Sequence, residues 1–229
     1  MRGHFLAPKA DNERVMGSPR PVALRLIAFV VVFGVAASAC SGSGYAYHKD
    51  PTGKNYFKLP SDWETFDTED ILRASGVSPQ ALEFLPRVRW MVGFDADPQK
   101  PDIRHIFNSD ADYPTGLAQV RVLLTDERES FSTLSLRDAF FDLNSEELTG
   151  IVQILDEQEF VLSGGYRGVR LTYNESQGGA FLTVSQVAVV DPGTQLMYSF
   201  AVGCGADCYL ANESTIDQIV DSWTVRQEG

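Results

Sequence analysis

Three groups of residues combine types and spacings that can do chemistry. Cys204 and Cys208 enclose Gly205-Ala206-Asp207. Three intervening residues, not the two of a thioredoxin-type dithiol, and no adjacent helix pattern to activate a thiolate, point to a structural disulfide. Loop closure over so short a span contributes about 2 kcal/mol, enough to pin the junction of the last strand and last helix. The second group is the acidic stretch from Asp95 to Pro114, with Asp95-x-Asp97, Asp110-x-Asp112 and His105 beside Asp102. Its carboxylates could serve Ca²⁺, but the D-x-D-x-D-G run and distal Glu of an EF-hand loop are missing, so a solvated acidic face is expected. His105 and Asp102 have the composition of half a general-base pair, yet only His48 accompanies them beyond residue 39, and there is no G-x-S-x-G elbow. The third group, Gly164-Gly165-Tyr166-Arg167-Gly168, lacks the spacing of a dinucleotide or phosphate loop, and a bent strand accounts for its glycines. No catalytic residue, metal or cofactor is expected.

The remaining cysteine, Cys40, belongs to the leader. Arg20 and Arg25 precede the apolar run Leu26 to Ala39, which closes on Ala37-Ser38-Ala39-Cys40. Basic segment, apolar segment and small residues before a cysteine have the order of a secretory signal. The uninterrupted run is 14 residues, short for a bilayer span. Ser38-Ala39-Cys40 resembles a bacterial lipobox, in which the cysteine thiol takes a diacylglyceryl group; Ala37 departs from the usual Leu and also satisfies ordinary A-x-A cleavage. Lipidation is favoured because Cys204 and Cys208 account for each other and Ser41-Gly42-Ser43-Gly44 reads as a flexible tether. Plain secretion and an uncleaved anchor are the other two readings. The expected division is a signal over 1–39, a lipidated tether over 40–54 and one domain over 55–229, with Met16 as the expected true start.

The elements that must position these groups follow from periodicity. Tyr56 to Leu59 reads as a strand ended by Pro60. Asp67 or Thr68 caps a short helix stopped by Gly76. Ser78 caps another, with Pro79 at its first position and Pro86 barring continuation. Val88 to Phe94 and Leu117 to Thr125 alternate as half-buried strands. Ser135-x-x-Asp138 opens a helix with Leu136, Ala139, Phe140 and Leu143 on one stripe; Phe141 lies off that stripe, where a partner or ligand contact would sit, although ordinary packing is the favoured reading. Phe160 to Tyr173 forms a strand pair or bent strand. Phe181 to Val190 and Gln195 to Val202 make a hairpin about Asp191-Pro192-Gly193-Thr194, with the positive φ assigned to Gly193. Ser214-x-x-Asp217 opens the closing helix. An α+β sandwich with an antiparallel sheet follows.

Composition limits partners more than it names them. Of 19 basic and 31 acidic residues, five and two lie in the leader, which leaves 14 against 29 and a net charge of −15. Nucleic acid and direct adhesion to anionic lipid are disfavoured.

Tyr56-Phe57-Lys58-Leu59-Pro60-Ser61-Asp62-Trp63, Leu162-Ser163-Gly164-Gly165-Tyr166-Arg167-Gly168-Val169-Arg170-Leu171 and Ile216-x-x-Ile219-Val220-x-Ser222-Trp223-Thr224-Val225 resemble the PsbP-like fold. In particular they are similar to actinobacterial exported lipoproteins of the LpqN type. The resemblance implies an αβα sandwich around an antiparallel sheet and a non-enzymatic accessory or binding role. Two functions from different classes are expected: a tethered module that contacts envelope proteins, with Asp95, Asp97, Asp110, Asp112 and Phe141 as its candidate surface, or a carrier of a lipid or other amphiphile between sheet and helices. Only the first uses the acidic loop. The carrier needs a cavity of several hundred Å³.

Overall fold

The computed structural model describes residues 44–107, 112–140, 142–143, 152–177 and 180–226. Its main sheet is antiparallel and seven-stranded, in the spatial order β3 (Glu64–Asp67), β4 (Arg89–Asp95), β5 (Thr115–Val122), β9 (Leu196–Gly205), β8 (Ala180–Val190), β7 (Arg167–Gln177) and β6 (Val152–Val161). A second sheet of three strands has the order β1 (Tyr45–Lys49), β2 (Asn55–Pro60) and β10 (Thr224–Val225).

Alternation in the central strands sends apolar side chains to both faces of the main sheet. Val187, Val189, Tyr198, Phe200 and Val202 meet Ile216 and Ile219 of helix α5 (Ala206–Ser222) on one face. Phe57 and Leu59 of β2 enter the same core, where Phe200 lies 5.2 Å from Phe57 and 5.6 Å from Phe94 by ring centroid. On the opposite face, Ile71 and Leu72 of helix α1 (Thr68–Ala74) cover Met91 and Leu117, with Leu82 and Leu85 of helix α2 (Pro79–Val88) packed alongside. Further along that face, two short helices follow β5: α3 (Thr125–Glu129) and α4 (Thr133–Arg137). Leu136 of α4 packs with Leu171, Tyr173, Ala188, Val190 and Met197. Helix, sheet and helix form the αβα sandwich that the resemblance implies.

Local signals explain the helix starts. Asp67 accepts from the amides of Glu69 and Asp70, and Ser78 accepts from Ala81 N, both as N-caps. Gly76 follows α1 with φ +72°, a conformation that lets the chain leave the helix without a Cβ penalty.

Several expectations are corrected. The tether assigned to 40–54 includes β1 and its turn, so the fold begins before residue 55. Asp50 explains the turn: its buried carboxylate accepts from Thr52 N and, at 2.7 Å, from Asn55 N. Pro86 lies inside α2, whose last hydrogen bond runs from Arg89 N to Leu85 O. The strand expected over Leu117 to Thr125 ends at Val122, and Thr125 opens α3. The helix expected to open at Ser135 is α4, which opens earlier, at Ser132, and ends at Arg137; Leu136 and Leu143 are nevertheless both buried. Helix α5 starts at Ala206 rather than near Ser214, because in its first turns Tyr209 is buried but Leu210 is 70% exposed, which blurs the stripe. In the β8–β9 turn the positive φ falls on Thr194, not Gly193, with Asp191 accepting from the amides of Gln195 and Leu196.

The close approach of β5 to its neighbours depends on Gly116, where a Cβ would lie 2.3 Å from both Ala201 O and Phe94 Cζ. Gly116→Ala is expected to lower unfolding free energy by about 2 kcal/mol in urea titration. Gly44→Ala, which meets nothing within 4 Å, should leave the midpoint unchanged.

Candidate functional site

The acidic segment is a folded, internally bonded loop. Asp95, the last residue of β4, is 0% exposed. Its Oδ1 accepts from Asp97 N at 2.9 Å, and its Oδ2 accepts from Asp102 N at 2.8 Å and sits 2.7 Å from His105 Nδ1. A carboxylate that receives this many donors is already satisfied. The 3₁₀ turn Ile103–Phe107 follows, with Ile103 packed against the α1–α2 core. Gly93 leaves the space that Ile106 fills, since a Cβ there would meet Ile106 Cδ1 at 2.3 Å.

This geometry reassigns the expected surface. Asp95 is buried and structural, because its charge is spent on the loop's own amides and on His105. Asp97 accepts from the amides of Gln99 and Lys100, and those two hydrogen bonds hold its carboxyl below the usual range. Asp102 pairs with the Arg104 guanidinium, whose hydrogen bonds hold that carboxyl well below the usual range too. Asp112 is exposed. Asp110 and Phe141 lie outside the described residues. His105 therefore pairs with Asp95 rather than Asp102, and no side chain among the described residues hydrogen-bonds its Nε2. Among the described residues no group of three or more His, Cys, Asp or Glu side chains is arranged to hold a metal.

Cys204 and Cys208 are disulfide-bonded, with Cα atoms 5.8 Å apart. Cys204, one residue before the end of β9, is fully buried, while Cys208 lies in the first turn of α5. The absence of an adjacent helix is thus corrected, and the bond joins the last long strand to the last helix. Nearby, Tyr209 and Ser185 hydroxyls sit 2.7 Å apart and tie the same helix turn to β8.

What the sequence reading did not find is a pair of open grooves, one on each face of the main sheet. The first, about 440 Å³, lies between the end of α5 and strands β6 and β7, over Phe160, Val187, Val220 and Trp223. Its charges are matched: Arg170 donates to Asp221 at 2.5 Å. The second, also about 440 Å³, lies on the opposite face between α1 and α2 on one side and α3 and Ala139 on the other. Met91 and Leu117 form its floor, Leu72 and Leu85 one wall, and Phe107, 52% exposed, part of its rim.

The charges of this second groove are not matched. Arg89 and Arg121 stand directly opposite each other in the β4–β5 register. Arg121 donates to Glu127 Oε1 at 2.6 Å, while Glu127 Oε2 also receives Leu124 N at 2.8 Å. The Arg89 guanidinium has no hydrogen bond or ion pair among the described residues. Burial, then the neighbouring Arg121, pushes its pKa down, with Glu127 opposing. An arginine remains charged despite such a shift. Like charges directly opposite across two strands cost stability. Sequence alternation alone could have located Arg89 and Arg121 on one face, but not their pairing.

No protein-family model matches the sequence, and no curated protein matches it. Solved structures do. The cyanobacterial PsbP (CyanoP) of Synechocystis is similar over 82% of this chain and 96% of its own, at 13% identity and a TM-score of 0.50. LpqN of Mycobacterium tuberculosis, described as involved in cell envelope biogenesis, is similar over 82% of this chain and 88% of its own, at 18% identity and a TM-score of 0.40. The immunity protein TplEi of Pseudomonas aeruginosa, complexed with a peptide, is similar over 80% and 99%, at 10% identity and a TM-score of 0.43. At these identities it is the fold that is shared. The class is PsbP-like, an α+β sandwich.

Two measurements test this site. Asp95→Ala should destabilise the protein by about 2 kcal/mol or more and speed amide exchange at Asp97 and Asp102; Asp97→Ala should do so far less. His48 stacks on Phe57 at 5.4 Å, and burial holds its pKa below 6.5. The folded state favours the neutral ring, so the unfolded chain takes up the proton first: this contribution is complete above 6.5 and declines as pH falls below it. His48→Phe is expected to lessen the fall in Tm between about pH 7 and 5.

Proposed function

We propose that the protein is an exported lipoprotein, anchored through Cys40 on the outer side of the plasma membrane, that acts in the cell envelope as a non-enzymatic binding module. Two acyl chains on one residue bury about two dozen CH₂ groups at about 0.8 kcal/mol each, which makes such an anchor effectively permanent. Only four residues lie between Cys40 and Tyr45, the start of β1, so the five Cα-to-Cα steps that join them reach at most about 18 Å. The module would work close to the bilayer.

The observation that carries the binding reading is the groove between α1, α2 and α3. Its volume of about 440 Å³ falls in the range of small-ligand sites, and Met91 and Leu117 give its floor an apolar part beside Gln119. The acidic loop supports binding less, since Asp95 and Asp102 spend their charge within it. The interface between α5 and the sheet is filled by Ile216, Ile219 and Phe200, so an internal pocket there is not what supports a carrier. The open groove over Met91 and Leu117 favours the second reading, an amphiphile carrier, over contact through the acidic loop.

Cys40→Ser should release the mature domain into the medium; retention at full precursor mass would instead indicate an uncleaved anchor. The groove is tested with the neutral fluorophore phenylnaphthylamine. Phe107→Glu is expected to abolish its fluorescence gain without changing Tm, whereas Asp97→Asn with Asp112→Asn should not affect it. Equal fluorescence from all variants would remove the groove from the proposal.

A further inference from the structure

The groove over Met91 and Leu117 joins two environments that a single kind of molecule satisfies together. Met91 and Leu117 on its floor, beside Gln119, and Leu72 and Leu85 on one wall, beside Ser75, give it an apolar strip. At its β4–β5 side stand two guanidinium groups in register, Arg89 and Arg121, and one carboxylate, Glu127. Glu127 is engaged on both oxygens, by Arg121 and by Leu124 N. The Arg89 guanidinium is left half-buried, charged and without a hydrogen bond or ion pair among the described residues.

A chain carrying 29 acidic residues beyond the leader could have matched Arg89 as it matches Arg121 and Arg170, but none of those described does. The groove on the other face makes the contrast, since its Arg170 is paired with Asp221.

We infer that the groove between α1, α2 and α3 binds an amphiphile with an anionic head group, a carboxylate or phosphate held by Arg89 beside Arg121 and an acyl chain laid over Met91 and Leu117. This rests on the carrier reading and adds the head-group chemistry. A guanidinium presents a planar fork that suits carboxylate and phosphate oxygens, and two of them side by side cease to repel once an anion sits between them. Partial burial strengthens that attraction relative to open water. The net charge of −15 keeps bulk anionic membrane at a distance, so a single extracted head group, rather than the bilayer surface, fits the site.

Calorimetric titration of the soluble domain with dodecyl phosphate, dodecyl maltoside and inorganic phosphate, each alkyl probe below its micelle concentration, tests this. Dodecyl phosphate should bind most tightly, and Arg89→Gln should weaken it by about tenfold or more while leaving dodecyl maltoside unchanged. Because the Arg89 guanidinium has no hydrogen bond or ion pair to lose among the described residues, Arg89→Gln should keep or raise the Tm of the ligand-free protein and lose only the Tm shift produced by dodecyl phosphate. A lower ligand-free Tm together with unchanged affinity would make Arg89 structural and overturn the inference. Equal binding of both alkyl probes, insensitive to Arg89→Gln, would overturn the head-group assignment and leave the carrier reading standing. Inorganic phosphate binding as tightly as dodecyl phosphate would overturn the acyl-chain part. No binding of either alkyl probe would overturn the inference and the carrier reading together.

Discussion

The constraint on which the rest depends is that the central strands are buried on both faces. A sheet covered on one side can leave every second residue to water, but β5, β9 and β8 cannot. Phe200 and Val202 face α5 while Met197 and Ser199, their alternates, lie against the other layer. Two covers must therefore be built from a short chain. One is a single 17-residue helix with the small sheet beside it; the other is pieced together from α1, α2, α3 and α4. The pieced cover meets the sheet less continuously, and the second groove is where its parts do not close.

Double burial also obliges the sheet's polar residues to find partners inside. Gln186, 1% exposed, donates to the carbonyls of Leu136 and Arg137 at 3.2 and 2.8 Å, and Gln119 donates to Ala139 O at 3.4 Å. These amides satisfy carbonyls at the end of α4 and just beyond it, where a helix leaves acceptors open. Carboxylates do the converse job in the loops. Asp50, Asp95 and Asp191 each accept backbone amides from the residues that follow them. Much of the acidic composition outside the exposed surface is thus loop architecture.

Much of the fold was legible because it is carried by local signals. The β8–β9 hairpin, the caps at Asp67 and Ser78 and the stripe Ile216, Ile219, Val220 and Trp223 all depend on neighbours within a few residues. What failed depends on distant ones. Asp95 looks like any loop aspartate until the chain returns ten residues later with His105. β1 has few apolar residues and becomes a strand because β2 offers it an edge. Helix α5 begins eight residues early because the disulfide and the Tyr209–Ser185 contact hold turns that its weak stripe does not mark. The groove required the same long-range information, since Arg89 and Arg121 are separated by 32 positions and meet only by strand pairing.

Strand β6 closes the main sheet as a ten-residue edge, with Leu155 half exposed and a register shift between Ile154 and Asp156. A long edge is an open template on which another copy could add its own strand. Here Asp156, Glu157 and Glu159 occupy it, and the irregular register puts the free amides and carbonyls out of step with any straight partner. A second molecule approaching this side meets like charge before it meets a ladder. The same residues that end the sheet thereby set the protein against fibre growth when many copies crowd together.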